Sequence, residues 1–245
     1  MQNTTSSPSV ALPTGKGYVV LLSGGLDSSV LAFCFARAGL AVKALTINYG
    51  QRHSKEQNAA KDVAAALNID HKILSLGELR PILGERSSLL NEAIPVPEGH
   101  YADESMKSTV VPNRNMILLS IATAWSIASG LEGVAYAAHA GDHAIYPDCR
   151  PAFADAMNDA IKLCDYTKQE LVRPFVSLTK ADIVKVGASL GVPFERTWSC
   201  YNGRATHCGK CGTCFERKEA FELAGVPDPT EYEFSVDSHG VSASD

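Results

Sequence analysis

The sequence has no excess of basic residues. Its 22 lysines and arginines are outnumbered by 27 aspartates and glutamates, which gives a formal net charge of −5. Because nucleic-acid affinity rests largely on the neutralisation of phosphates by Lys and Arg, this balance argues against wide contact with a polyanion. We therefore expect a small-molecule substrate and no nucleic-acid partner.

Long apolar runs are also missing. No stretch approaches the length of a membrane span, and residues 1–16 have neither the basic start nor the apolar segment of a signal peptide. These absences predict a cytoplasmic protein with no membrane partner. Its seven cysteines are then expected to be reduced thiols, metal ligands or reactive groups rather than disulfides.

The sequence does contain alternating strand and helix patterns. A chain of 245 residues, 45% of them hydrophobic, can bury the core of one sizeable α/β domain with a small appendage. The apolar patterns predict strands at 17–22, 41–49, 73–76, 133–139 and 171–176. Helices are predicted at 28–38, 54–67, 113–129 and 152–164, with a further helix between Thr179 and Gly191.

This alternation predicts a doubly wound, mostly parallel sheet, whose ligand sites lie at the carboxyl ends of the strands. Residues 77–112 carry little periodicity and are expected to form a long loop or lid. Two capping boxes are predicted, one at Ser54 with Gln57 and one at Thr179 with Asp182. The expected organisation is a loose N-terminus at 1–16, a nucleotide-binding domain at 17–194, a small module with a C-terminal helix at 195–232 and a tail at 233–245.

A glycine pair follows the first strand in the string S-G-G-L-D-S, residues 23–28. Adjacent glycines let backbone N–H groups approach an anion closely, and the helix that follows adds its positive end. Ser23, Ser28 and Ser29 can add hydroxyl donors. Asp27 cannot attract phosphate, so we expect it to hold Mg²⁺. No Lys follows the glycines, so the string is not a Walker motif.

Four cysteines near the C-terminus, Cys200, Cys208, Cys211 and Cys214, have the spacing C-x7-C-x2-C-x2-C. Such knuckles suit one tetrahedral Zn²⁺ per chain, and a closed four-thiolate shell makes that ion structural. An iron–sulfur cluster is the main alternative. His207 is a possible competing ligand. The basic residues nearby, which include Arg204 and Arg217, are offset by acidic ones such as Glu216 and Glu219, and this mixture indicates a solvated helix face.

The S-G-G-L-D-S string resembles the signature of the PP-loop ATP pyrophosphatases, whose fold is of the adenine nucleotide alpha hydrolase type. In that group the loop holds the β and γ phosphates of ATP while a substrate oxygen attacks the α phosphate. The resemblance implies that Ile47, Asn48 and Tyr49 face adenine or ribose. It implies ATP contacts along Leu21, Leu22, Ser23, Gly24, Gly25, Leu26, Asp27, Ser28, Ser29, Val30 and Leu31.

Further strings narrow this resemblance. V-P-N-R-N at 111–115, G-D-H at 141–143 and Y-P-D-C-R at 146–150, together with the loop and the four cysteines, resemble the 7-cyano-7-deazaguanine synthases of queuosine biosynthesis. That family converts 7-carboxy-7-deazaguanine, ammonia and ATP into the 7-nitrile, and it suggests a homodimer. No glutaminase domain fits in the chain, so free ammonium is the expected nitrogen source.

The resemblance also guides the expected substrate contacts. Asp148 is expected to accept from the guanine-like edge, Arg150 or Arg114 to pair with the carboxylate and Tyr146 to stack on the ring. The expected catalytic residues are Asp27, Ser23 and Arg114.

Some residues have no assigned role. Cys149 is interpreted as a packing residue, because adenylate chemistry needs no thiol nucleophile. His53, His139 and His143 are proton carriers for ammonium or structural histidines.

Two other functions stay open. A tRNA-modifying PP-loop enzyme would use the same ATP site but would need a catalytic cysteine and a basic docking surface. A non-catalytic zinc-containing binding module would not need Asp27 in its loop.

Overall fold

The fold is built on five parallel strands. The computed structural model describes residues 8–84 and 86–234. The strands are β1 (Gly17–Leu21), β2 (Ala41–Asn48), β3 (Asp70–Ser75), β4 (Gly133–Ala135) and β5 (Glu170–Val172). Their order in the sheet is β3-β2-β1-β4-β5, and every neighbouring pair is parallel. The predicted doubly wound parallel sheet is thus confirmed.

Helices cover both faces of the sheet. They are α1 (Leu26–Arg37), α2 (Lys55–Leu67), α3 (Arg80–Leu83), α4 (Arg114–Ala128), α5 (Pro151–Leu163), α6 (Lys180–Leu190) and α7 (Gly212–Ala224). Tyr18 and Val20 of β1 point into a core shared with α1, α2, α6 and α7, whereas Val19 packs with α4 and α5. A strand buried on both faces needs a continuous apolar run, which is why G-Y-V-V-L lies at the centre of the sheet.

Several predicted boundaries are wrong. The helix α1 begins at Leu26 rather than at residue 28, because Gly25 has an extended conformation and serves as the N-cap. Ser54 makes no side-chain cap hydrogen bond to any described residue, since its backbone is outside the extended region. The strands β4 and β5 have three residues each, so the chain leaves the sheet earlier than the apolar pattern indicates.

The second capping box is confirmed. Oγ1 of Thr179 accepts from the N–H of Asp182 at 3.1 Å, and the backbone N–H of Thr179 donates to Oδ2 of Asp182 at 3.1 Å. Because α6 begins at Lys180, the cap fixes the position of that side chain at the end of the sheet.

The predicted loop at 77–112 contains short helical turns at Gly77–Leu79 and Glu104–Thr109 besides α3. It packs on the cysteine segment, where the N–H of Gly99 donates to the carbonyl of Lys210 at 3.1 Å and Glu98 forms a β-bridge with Cys211. The loop therefore forms a fixed wall of the molecule beside the site.

The proposed domain boundaries stay a prediction. Ala220 and Phe221 of α7 belong to the same core as β1, so the segment 195–232 packs into the sheet domain. Val10 and Leu12, within the expected loose N-terminus, pack against that core too. Residues 1–7 and most of the expected tail lie outside the described residues. No helix in the described ranges is long and apolar enough to cross a membrane.

Candidate active site

A cavity of about 260 Å³ opens at the carboxyl ends of β1, β2 and β4. The strand order reverses between β1 and β4, and doubly wound sheets bind their ligands at such a point. The chain after β1 turns towards α1, and the chain after β4 leads to His139. The site is therefore located where the fold leaves a crevice.

The loop after β1 is held in shape by its own serines. The hydroxyls of Ser23 and Ser28 lie 2.9 Å apart, and the N–H of Ser23 donates to Oγ of Ser28 at 3.1 Å. Ser29 donates its hydroxyl to the carbonyl of Gly25 at 2.7 Å. Since the first N–H groups of α1 have no partner within the helix, this arrangement presents free donors to an anion.

Gly24 has a φ of +85°. A Cβ atom at this position would overlap the backbone carbonyl of Glu56 and the backbone nitrogen of Ala60. The carbonyl of Gly24 also accepts from the N–H of Trp198 at 2.9 Å. The loop is thus clamped between α2 and the segment that leads to the cysteines, and only glycine fits there.

Asp27 lies in the first turn of α1 and lines the cavity. Its Oδ2 is 3.2 Å from Nζ of Lys180, whereas its buried Oδ1 has no hydrogen-bond partner among the described residues. Burial alone would raise the pKa of Asp27, but Lys180 and His139 outweigh it and hold the pKa below its usual range. An ionised carboxylate with one free oxygen is a suitable ligand for a hard cation.

We call Asp27, His139, Asp142, Lys180 and Glu216 the charge cluster. Nζ of Lys180 also lies 2.6 Å from Oε2 of Glu216, and Nε2 of His139 lies 3.6 Å from Oδ1 of Asp142 and 3.9 Å from Oε1 of Glu216. Burial raises the pKa of Glu216, although Lys180 opposes the shift. The cluster therefore joins the loop after β1, the chain that follows β4, the start of α6 and the first part of α7.

The cavity wall also carries Arg114, Glu56 and several aromatic rings. The guanidinium of Arg114 lies 6.0 Å from the ring centre of Tyr49 and 5.7 Å from that of Tyr146. Desolvation raises the pKa of Glu56 to about 7, even though Arg114 lowers it. These residues offer one cation, one carboxylate and flat apolar surfaces.

The four predicted metal ligands come together. All four Sγ atoms lie within 4.8 Å of one another, and all four cysteines are buried. Sγ of Cys208 accepts from the N–H groups of Lys210 at 3.4 Å and Cys211 at 3.3 Å, which is how backbone amides stabilise thiolates. His207 is not part of this group, because its Nε2 accepts from the N–H of Ser199 at 3.1 Å. The cluster can hold a metal ion.

The solvated helix face predicted beside the cysteines is partly wrong. Arg217 is fully buried, and its guanidinium donates to Oγ1 of Thr197 at 2.8 Å and to the carbonyl of Phe194 at 3.0 Å. Glu216 is buried against Lys180. Composition could not identify these two residues, because their partners come from other elements of the fold.

The structure separates the expected ATP contacts into two groups. Among the described residues, Leu21, Leu22, Ser23, Gly25, Leu26, Asp27 and Ser28 line the cavity, as do Ile47 and Tyr49. Val30 and Leu31 are completely buried in the core behind the loop, and Ser29 is buried with its hydroxyl on Gly25. Gly24 faces α2, and Asn48 bonds the backbone of Gly50 at 3.0 Å.

The expected substrate residues are separated as well. Arg114 and Tyr146 line the cavity. Oδ2 of Asp148 accepts from the N–H of Asn115 at 3.0 Å, which places it at the start of α4. Arg150 is exposed and donates to the carbonyl of His143 at 2.9 Å. Asp148 and Arg150 thus have structural partners, and neither of them is among the residues that line the cavity.

Three residues of the site escaped the sequence reasoning: Glu56, Lys180 and Glu216. Lys180 directly follows the predicted cap Thr179, and its position at the start of a helix after a strand was the available signal. Glu56 and Glu216 lie in helical segments, where the neighbouring residues do not distinguish a functional glutamate from an ordinary one.

The fold and the site together define a doubly wound α/β protein with a glycine- and serine-rich loop after its first strand and a four-cysteine cluster near that loop. The family model described as Queuosine biosynthesis protein QueC matches residues 17–225. The chain belongs to this family.

Individual relatives agree with this family. The chain is 52% identical over 215 residues to 7-cyano-7-deazaguanine synthase from Methanoregula boonei, covering 88% of this chain and 98% of that protein. It is 48% identical over 218 residues to the protein of the same name from Psychromonas ingrahamii, covering 89% and 98%. NMN synthetase from Francisella tularensis has a similar fold, with a TM-score of 0.50 and 17% identity over 87% of this chain and 79% of that chain.

Proposed function

We propose that this chain is an ATP-dependent ligase that converts 7-carboxy-7-deazaguanine and ammonia into 7-cyano-7-deazaguanine for queuosine biosynthesis. The observation that carries the proposal is the family match over residues 17–225, which spans both the phosphate loop and the cysteine cluster. Its relatives at about half identity carry the name of this activity.

The chemistry explains why ATP is needed. A carboxylate is a poor electrophile, because its charge is delocalised and its leaving group would be oxide. Attack of a carboxylate oxygen on the α phosphorus expels pyrophosphate and leaves an acyl adenylate. Ammonia then displaces AMP to give the amide. The amide oxygen attacks the α phosphorus of a second ATP and expels pyrophosphate, and departure of that oxygen in AMP, with loss of the two N–H protons, forms the nitrile.

The residues of the cavity support each requirement. The free N–H groups at the start of α1 can hold the outer phosphates, and Lys180 can offset charge that develops on the departing pyrophosphate. Arg114 is a further cation that lines the cavity and can orient the substrate carboxylate towards the α phosphorus. Ser23 and Asp27 border the space where the phosphates would lie.

The proposed ions are Mg²⁺ with ATP and one structural Zn²⁺. The unpartnered Oδ1 of Asp27 fits a Mg²⁺ ligand, and four buried thiols within 4.8 Å fit a tetrahedral Zn²⁺. Bound Mg²⁺ would supply positive charge against the phosphates. Four thiolates leave no open position on Zn²⁺, so its proposed contribution is to the fold.

Further parts of the proposal concern the setting of the reaction. We propose free ammonium as the nitrogen source, a homodimer, no nucleic-acid partner and a cytoplasmic location. The lack of an excess of basic residues supports the absence of a nucleic-acid partner, and the seven free cysteines support the location. We also propose that Tyr146 stacks on the ring of the substrate. The tRNA-modifying alternative receives no support from Cys149, because burial raises the pKa of its thiol and keeps it protonated.

The test is direct. The purified protein is incubated with ATP, Mg²⁺, ammonium and 7-carboxy-7-deazaguanine, and the products are analysed by mass spectrometry. We expect a purine nitrile that forms only when all the reactants are present. Release of pyrophosphate from ATP without any change in the purine would contradict the proposal.

A further inference from the structure

A guanine-like ring presents two adjacent donors, the ring N1–H and the exocyclic amine. A protein recognises such an edge with a pair of acceptors on one plane, which is the geometry of a carboxylate. The same substrate carries a carboxylate at its other end. The cavity should therefore offer one acidic group and one basic group.

Asp148, the residue expected for this task, already has a structural partner. Its Oδ2 accepts from the backbone N–H of Asn115 at 3.0 Å, and its carbonyl accepts from the side-chain amide of the same residue at 3.3 Å. The carboxylate thus satisfies an N–H group at the start of α4, and Asp148 is not part of the cavity wall.

Glu56 has the opposite character. It lies in the first turn of α2, it is half-buried and it lines the cavity. A half-buried carboxylate has lost part of its hydration, so a ligand that brings hydrogen-bond donors would offset that cost. The raised pKa of about 7 reflects the same desolvation.

The surroundings of Glu56 exclude several ligands. Its charge disfavours a phosphate or a carboxylate directly beside it, whereas a donor edge is attracted. Tyr49, Trp198 and Tyr201 line the same cavity and offer flat surfaces to a ring. The carbonyl of Glu56 also lies beside Gly24, so a ring held here is close to the phosphate loop.

We propose that Glu56 is the specificity residue that accepts the N1–H and the 2-amino group of the deazaguanine ring, while Arg114 faces the carboxylate at the other end. This inference rests on the proposed function. It assigns the ring to the wall formed by α2 and the aromatic residues, and it leaves Asp148 as a helix cap.

The variant Glu56→Gln tests the assignment, because its amide replaces one acceptor by a donor with little change in size. We expect the KM for 7-carboxy-7-deazaguanine to rise about 100-fold, in line with the loss of a bidentate pair, with the KM for ATP within about twofold of the wild type. Glu195→Gln, at an exposed position outside the site, is the matched control and should match the wild type.

A second measurement compares two substrates, and its deciding result comes from the wild-type protein. An analogue that lacks the 2-amino group leaves one carboxylate oxygen without a donor, so we expect its kcat/KM to fall at least about tenfold. The variant should lose most of this discrimination. Equal use of both purines by the wild type would overturn the assignment, whatever the folding of the variant.

The outcomes separate the two proposals. A wild-type protein that makes no nitrile counts against the proposed function. A wild-type protein that makes the nitrile, with an unchanged purine KM in Glu56→Gln, overturns only the assignment of Glu56. A rise in the KM for ammonium with an unchanged purine KM would instead identify Glu56 as an ammonium site and also overturn it.

Discussion

The ammonium of Lys180 lies 3.2 Å from Oδ2 of Asp27, and this ion pair joins the first turn of α6 to the first turn of α1. Burial alone would lower the pKa of Lys180, but Asp27 and Glu216 reverse that effect and raise it. Lys180 therefore keeps its charge beside the phosphate loop.

Replacement of Lys180 by Met should lower the free energy of unfolding by about 3–5 kcal/mol, because it leaves two buried carboxylates without their cation. Urea unfolding measures this change. Lys185→Met, on the same helix but outside the charge cluster, should stay within about 0.5 kcal/mol of the wild type. Equal stability of the two variants would contradict a structural contribution from the ion pair.

Replacement of Asp27 by Asn should abolish nucleotide turnover, with a loss of at least about 100-fold, because the ionised oxygen beside the phosphates is removed. Pyrophosphate release is the measurement. The metal content should equal that of the wild type, since the cysteine cluster does not include this residue. Full activity in this variant would count heavily against the mechanism.

Replacement of Gly24 by Ala should weaken nucleotide binding and destabilise the protein by several kcal/mol, because the new Cβ overlaps the backbone of α2. Gly39→Ala is a matched control, since Gly39 has a similar φ of +77° but no atom within 4 Å of the added Cβ. In the control variant the free energy of unfolding should fall only by the cost of a left-handed backbone conformation for alanine, about 1–2 kcal/mol, and the affinity for nucleotide should be unchanged. A similar loss in both variants would show that the clamp on the loop is unimportant.

Replacement of Cys208 by Ser should release the metal and lower the free energy of unfolding by more than about 3 kcal/mol, because metal binding and folding are linked. Metal analysis and urea unfolding test this. Cys164→Ser, at an exposed cysteine, should retain both properties. A Cys208 variant with one equivalent of bound metal would remove this residue from the ligand set.

Glu56 should make stability depend on pH. Its pKa is raised from the usual value of 4.5 to about 7 in the folded protein. Between these two pH values the carboxyl group is protonated in the folded state and ionised in the unfolded state. The contribution of Glu56 is fully present below pH 4.5 and is lost as the pH rises through about 7. The stability of Glu56→Gln relative to the wild type should therefore increase by at most about 3 kcal/mol between pH 5 and pH 8, as urea unfolding at each pH would show.

The sequence predicted those features that depend on neighbouring residues. The apolar run of β1, the cap at Thr179 and the spacing of the four cysteines are local patterns, and the structure confirms them. The sharp turn after β1 was also recognisable, because its glycines and serines contact one another within residues 23–29, and its binding of phosphate stays a prediction.

The remaining parts of the site depend on distant contacts. Lys180 meets Asp27 across more than a hundred residues of chain, and Glu216 comes from a helix that follows the cysteines. Neither the hydrophobic periodicity of the sequence nor the spacing of its residues indicates such an ion pair. The contact of Asp148 with the start of α4 could not be predicted for a related reason, because a carboxylate that caps a helix and one that binds a ligand look alike in a sequence.

The position of Glu216 two residues beyond Cys214 has a consequence for the maturation of the protein. The helix α7, which begins at the cysteine cluster, also carries the Glu216 carboxylate that forms an ion pair with Lys180. We expect a newly made chain without a metal ion at the cysteine cluster to hold Lys180 and the loop after β1 less firmly, so that release of pyrophosphate from ATP begins only after a metal ion has bound.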